Sequence, residues 1–201
     1  MDTPLTLPRS LLIDMDGTLT EPMLDFPRIK AEMGIGNRPI LEALRSMPDA
    51  ERRAAEQVLH RYEEHAADNS SLNPGCRELL HWLDRQNMGV ALVTRNTLSS
   101  VRTVMTRHDL RIDVLITRDD GVFKPDPAPL KIALQRLNVA ASDAWMVGDG
   151  QYDIEAGIAA GVPTVWVSHG ERRPFKAEPA HTVPDLIRLL QLLKSLQTSA
   201  D

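Results

Sequence analysis

Five short runs of aliphatic residues recur along the chain with helix-patterned stretches between most of them, and this alternation limits the possible folds more than any other feature. The runs are Leu11 to Met15, Gly89 to Val93, Asp113 to Ile116, Ala144 to Val147 and Pro163 to Val167. Each is short and nearly continuously apolar, the pattern of a strand buried on both faces of a parallel sheet. In the intervening stretches apolar residues fall three and four apart, as at Leu79, Leu80 and Leu83, at Val101, Val104 and Met105, and at Leu130, Ile132, Leu134 and Leu137. That is the spacing of amphipathic helices. Strand and helix in turn predict an α/β fold, a doubly wound parallel sheet covered on both faces.

One interval breaks the pattern. From Glu21 to Asn73 there is no strand run, only helical patterns such as Ile40 to Met47 and Ala50 to Ala67, with Asp49 and Pro74 placed as first-turn residues. A crossover needs only about a dozen residues, so this interval predicts a small all-helical insert after the first strand. Residues 1–20 and 74–201 would then form the core and residues 21–73 the insert. The closing stretch, Thr182 to Leu196, with Leu186, Ile187, Leu189, Leu190 and Leu193, reads as a helix packed on the sheet.

Composition narrows the function. A chain of 201 residues, 42% hydrophobic, is large enough for one core with an insert. Its net charge of -5, with both signs interspersed, lacks the basic footprint of a nucleic-acid binder, so no nucleic-acid partner is expected. No apolar run approaches the roughly 20 residues that span a bilayer. Met1 to Pro8 has neither the charged start nor the apolar stretch of a secretory signal, and the expected location is the cytoplasm. The single Cys76 cannot form an internal disulfide and reads as a small buried thiol at a helix start. The histidines show no metal spacing: His60 and His65 are five apart, not four. Gly34 and Gly36 make no dinucleotide fingerprint, since no strand precedes them.

The chemistry concentrates at strand ends. Asp14-Met15-Asp16-Gly17-Thr18 follows the first run directly, so two carboxylates two residues apart point the same way where a buried strand emerges. Such a pair needs a cation or donors to offset its desolvation. Asp149 and Asp153 repeat the arrangement after Trp145 to Val147; taken alone they would cap the following helix. Four carboxylates converging on one rim call for a hard divalent cation, and oxygen-only ligands suit magnesium. Thr94-Arg95-Asn96-Thr97 ends the second run, where a hydroxyl and helix-start amides would seat a phosphate. Lys124 lies in the loop after the third run. All four segments fall at carboxyl ends of predicted strands, the rim where open α/β sheets bind ligands.

In this order, Asp14-x-Asp16-Gly17-Thr18, Thr94, Lys124-Pro125 and Gly148-Asp149 with Asp153 resemble the haloacid dehalogenase superfamily, in its branch with a helical cap after the first motif, and the phosphoglycolate phosphatase-like members most. The resemblance runs from about Leu11 to Val167. It implies a magnesium-dependent phosphatase acting on a small phosphorylated metabolite, with Asp14 as the nucleophile that forms an aspartyl-phosphate and Asp16 as the acid and then the base. It implies magnesium held by the Asp14 side chain, the Asp16 carbonyl and Asp149, with Asp153 in support. Thr94 and Lys124 would hold the phosphoryl oxygens. Asp16 argues against dehalogenation, which has no leaving oxygen to protonate. Where relatives often place Asn directly after the motif-two hydroxyl, this chain has Arg95 and then Asn96, and Arg95 is a candidate grip for an anionic substrate. On the cap, any of Arg28, Lys30, Arg38, Arg45, Arg52 and Arg53 could reach over the rim, though most read as the wet face of a helix; Arg28 and Arg38, which flank Gly34-Ile35-Gly36, are the candidates to close over the site. A phosphomutase returning the phosphoryl group to a second hydroxyl is the alternative reading. A binding module without catalysis is the second, and a nucleophile would be of no use to it. Neither oligomeric state nor substrate identity follows from these residues.

Overall fold

Six strands pair in parallel throughout: β1 (Ser10–Ile13), β2 (Gly89–Val93), β3 (Val114–Ile116), β4 (Ala144–Gly148), β5 (Thr164–Val167) and β6 (His181–Val183). Their spatial order is β3-β2-β1-β4-β5-β6. The structure, a computed structural model, describes residues 6–198; the first residues of the stretch read for a secretory signal, Met1 to Leu5, lie outside that range.

Strand periodicity divides the core into two layers. Leu11 and Ile13 turn to one face with Leu92, Trp145, Val147 and Val165, and meet α4 (Cys76–Arg85), α5 (Leu98–His108) and α8 (Leu186–Thr198). Leu12, Ala91, Val93, Ile116 and Met146 turn to the other face, against α6 (Ala128–Leu137) and α7 (Gln151–Ala160). Burying a Val, Leu or Ile side chain stabilises by about 1.5–3 kcal/mol, so both faces of the sheet favour being covered, as the doubly wound reading requires.

Strand order opens a crevice at the carboxyl edge of the sheet. β2 and β3 lie to one side of β1 and β4 to β6 to the other, so the loops leaving β1 and β4 diverge from adjacent strand ends and leave space between them.

Two expectations change. Thr182 belongs to β6 and not to the closing helix, which begins at Leu186. β6 is a three-residue edge strand whose partners are Val165, Trp166 and Val167, and with one buried residue it makes no apolar run. Pro74 precedes α4 rather than entering it; Gly75, at φ 87°, turns the chain into the helix.

Between Glu21 and Asn73 the chain forms α1 (Phe26–Glu32), α2 (Ile40–Ser46) and α3 (Asp49–Asn69). Their buried residues, among them Ile29, Ile40, Leu41, Leu44 and Leu59, form a separate hydrophobic cluster against which Phe123 packs. The two chain crossings at the base of these helices meet at one point. Thr20 bridges both Asp16 and Leu72, and Asn73 donates through Nδ2 to the carbonyls of Gly17, Thr18 and Thr20 at 3.2, 2.8 and 2.9 Å. Among the described residues, no helix is long and apolar enough to cross a membrane.

Cys76 is 1% exposed, and burial pushes its thiol up to about 12, so it stays protonated and unreactive at neutral pH. The native protein is expected to leave an aromatic disulfide reagent unreduced, with reaction following as soon as denaturant is added. Rapid reaction without denaturant would show that this helix does not seal Cys76 in.

Candidate active site

Asp14 is the first residue beyond β1, and its amide bonds the Val147 carbonyl of β4 at 3.0 Å, so the neighbouring strand fixes where its carboxylate emerges. Met15 turns back into the core and Asp16 emerges beside Asp14. Gly17 then takes a φ of 79°, and a Cβ there would overlap the Asp149 carboxylate. The loops after β1 and β4 are in contact at this point. Thr18, which the first motif includes without a role of its own, donates its hydroxyl to Asp149 Oδ1 at 3.0 Å, and Trp166 Nε1 donates to the Asp149 carbonyl at 2.8 Å.

Lys124 enters from the loop after β3. It is 1% exposed, with Nζ 2.7 Å from Asp14 Oδ1 and 2.6 Å from Asp153 Oδ1. Asp153 Oδ2 accepts from the Gly150 amide at 3.0 Å, closing the first turn of α7, and a Cβ on Gly148 would collide with the Asp153 carboxyl. Asp16 Oδ2 accepts from Asn96 Nδ2 at 2.6 Å, and the buried Thr94 hydroxyl accepts from the Asn96 amide at 3.2 Å. Two of the helix-start amides beyond Thr94 are engaged, Leu98 N with Asp119 and Ser100 N with Thr97. The side chains of Thr94, Asn96 and Lys124 line the same cavity.

Burial sets the electrostatics. It raises Asp14 well above the ordinary carboxylate range despite the opposing pull of Lys124, and it raises Asp16 against the Asn96 hydrogen bond. Asp149 is pushed to about 6 by burial and then by the charge of Asp153. Desolvation works to lower Lys124, but Asp14 and Asp153 together outweigh it and hold the ammonium protonated. Carboxylates of Asp14, Asp149 and Asp153 offer oxygens within 4.8 Å of one another, a hard, all-oxygen set that fits a divalent cation. Asp153 has both oxygens engaged, by Lys124 and Gly150, while Asp14 and Asp149 have one hydrogen-bonded oxygen each. The Asp16 carboxylate stands outside this trio, turned to Asn96.

These groups form the floor of a cavity of about 320 Å³. Its upper wall is apolar, with Leu24, Phe26, Ile40, Leu41 and Leu59, and carries two charged residues, Lys30 and Glu63. Arg28 and Arg38 are not on that wall. Arg28 stands over the Tyr62 ring, 6.0 Å from its centroid, and Arg38 Nε donates to the Ile35 carbonyl at 3.3 Å. Two residues on in a helix turn the side chain by roughly 200°, so Lys30 faces the cavity where Arg28 faces away. Arg95 lines the cavity, 20% exposed, with its guanidinium already paired. It forks onto Glu42 of α2 at 3.2 and 3.0 Å, donates to the Lys124 carbonyl, and lies 4.3 Å from the centroid of the Tyr152 ring.

Glu63 also escaped the sequence reading. It is 3% exposed, with Oε1 2.5 Å from Arg118 Nη1, and burial raises it to about 7 against the pull of that arginine. The signal was available: Ala55, Leu59, Glu63, Ala66 and Ala67 form one stripe of α3, and an acid within an apolar stripe needs a partner.

Relatives of this chain carry the names of phosphatases with different substrates. A phosphoglycolate phosphatase from Pseudomonas savastanoi is 33% identical, over 92% of this chain and 79% of its own length. An N-acetylmuramic acid 6-phosphate phosphatase from Pseudomonas aeruginosa is 29% identical over 89% of each. The solved structure of a hydrolase from Pseudomonas syringae superposes with a TM-score of 0.79 at 21% identity, over 92% of this chain and 98% of that one. Residues 24–167 match the haloacid dehalogenase-like hydrolase profile, and with the carboxylate pairs in place at both strand ends the chain belongs to that family.

Proposed function

We propose that the protein is a phosphatase that hydrolyses a small phosphate monoester through an aspartyl-phosphate on Asp14, with residues 21–73 acting as the cap over the site. The observation that carries this reading is the buried Lys124 ammonium 2.7 Å from Asp14, beside Asp149, at the floor of a cavity with an apolar roof. A binding site would gain nothing from holding a carboxylate under such restraint. Lys124 keeps Asp14 available as an anion, and with Thr94 and Asn96 it offers donors to the phosphoryl oxygens. The residues fit a magnesium ion at Asp14, Asp149 and the Asp16 carbonyl, which would shield the phosphate charge from the surrounding carboxylates.

In the first half-reaction an Asp14 oxygen attacks phosphorus. The bond from phosphorus to the ester oxygen breaks, its electron pair stays on that oxygen, and Asp16 supplies the proton that releases the alcohol. In the second, water attacks the same phosphorus while the Asp16 carboxylate takes its proton. The bond to Asp14 breaks and inorganic phosphate leaves. Asp16 suits both duties because burial raises its affinity for the proton while Asn96 fixes one of its oxygens at the cavity floor. The related phosphatases make this reading more economical than the phosphomutase, for which no residue of the cavity specifically argues.

Phosphate release from a panel of sugar phosphates, phosphoglycolate, nucleotides and an aryl phosphate is expected for the wild type with magnesium, and Asp14→Asn should lower it by at least about a thousandfold. Excess chelator should abolish it. Undiminished turnover in the variant would remove Asp14 from the nucleophile role. A second expectation concerns metal binding without turnover. Because Asp149 titrates near 6, protons compete with the cation in acid, so magnesium should raise the melting temperature clearly at about pH 7.5 and little at about pH 5. An equal shift at both would separate the metal from Asp149.

A further inference from the structure

Glu63 carries an oxygen that no protein group satisfies. Oε1 takes the hydrogen bond of Arg118, while Oε2, fully buried, has no partner, and the residue lines the cavity within electrostatic reach of Asp16. A buried acceptor left without a donor costs free energy comparable to a lost hydrogen bond, so Glu63 gains when a group entering the cavity it lines brings a donor within reach of a small shift of its side chain. Its chemistry is limited by the neighbours. Arg118 already balances the charge of Glu63, and Lys30 stands on the same wall, so an ammonium group would be a surplus cation. Against ionised Glu63, a carboxylate would set lone pairs against lone pairs. A neutral hydroxyl completes the arrangement, and Leu24, Ile40, Leu41 and Leu59 offer the carbon skeleton an apolar surface.

We propose that Glu63 is a specificity-determining residue whose free oxygen accepts a hydrogen bond from a substrate hydroxyl, so that the site selects phosphate monoesters of polyols or sugars. This rests on the phosphatase reading of the same cavity. The catalytic floor grips the phosphoryl group whatever its alcohol, and Glu63 tests the alcohol itself. Discrimination follows from the cost of leaving a buried polar group unpaired when the wrong substrate is bound.

The test compares glycerol, ribose and glucose phosphates with n-alkyl phosphates of equal carbon number, at about pH 8, where Glu63 is ionised and can only accept. The best hydroxylated member should exceed its alkyl counterpart in kcat/KM by about a hundredfold. In Glu63→Gln the amide oxygen can keep the Arg118 bond, which puts N–H groups where the acceptor was. The hydroxyl-to-alkyl ratio should then fall by about tenfold or more, and phosphoglycolate should gain relative to the polyol esters. Phosphate release by the wild type without a hydroxyl preference overturns this inference alone, and so does a ratio unchanged in a folded Glu63→Gln variant. Should that variant fail to fold, the wild-type ratio decides by itself. Release from none of these esters, with release from a nucleotide or an aryl phosphate, overturns this inference alone; release from no phosphate ester at all overturns the phosphatase reading and this inference with it.

Discussion

A single buried ammonium holds the rim of this sheet together. Lys124 sits between Asp14 and Asp153 with almost no exposure, and its charge makes it possible to bury carboxylates at the ends of β1 and β4. Each buried ion carries a desolvation cost of several kcal/mol, offset only by good geometry and full hydrogen bonding. Here Asp153 uses both oxygens, one on Lys124 and one on the Gly150 amide, and the carboxyl stands so close to Gly148 that no side chain fits there. Gly17 is bound by the same crowding on the other side, against Asp149. One cation does not neutralise four acids, however. Burial, joined at Asp14 and Asp149 by the charge of neighbouring carboxylates, raises the proton affinities of Asp14, Asp16 and Asp149, and a divalent cation would offset the excess negative charge.

The roof and the floor are built on different physics. Below, charges are fixed by short hydrogen bonds to backbone and lysine. Above, the wall is mostly aliphatic, and its helices are linked to the loops beneath through Arg95. That guanidinium forks onto Glu42 and reaches the carbonyl of Lys124, so a single side chain joins α2 to the loop that carries the floor's cation. Arg45 adds a second link, donating to the Gly121 carbonyl with its guanidinium 3.9 Å from the Phe123 ring centroid. The cavity is thus shaped jointly by both parts of the chain.

How much of this could be read from sequence depended on whether a residue's surroundings are local. Five strands announced themselves as apolar runs because most of their residues are buried; β6, with His181 and Thr182 at the sheet edge, did not. The Asp14, Asp16, Asp149 and Lys124 positions were legible because strand ends of an α/β sheet share one rim, so spacing along the chain predicts convergence in space. The cap residues gave no such rule. Arg28 and Arg38 are about as near the Gly34 loop in sequence as Lys30, yet helix phase alone decides that Lys30 rather than Arg28 faces the cavity. The partnerships of Arg95 with Glu42 and of Glu63 with Arg118 join residues 53 and 55 positions apart, so nothing in the local sequence specifies them. Only the placement of Glu63 on the Ala55 and Leu59 stripe hinted that this acid is buried.

Both passages of the chain between the helical insert and the sheet run through Asn73 and Thr20, whose knot of hydrogen bonds stands directly behind the Asp16-Gly17-Thr18 turn. The joint is small and uses mainly backbone carbonyls, so it does not depend on which helices lie beyond it. Other helices could therefore stand on the same stump, given new links to the loop of Lys124, while the carboxylates of the floor stay in register. Such a layout separates the inheritance of chemistry from the inheritance of taste: a lineage can change what it recognises by rewriting the helices of the insert, without reopening the question of how the reaction is done.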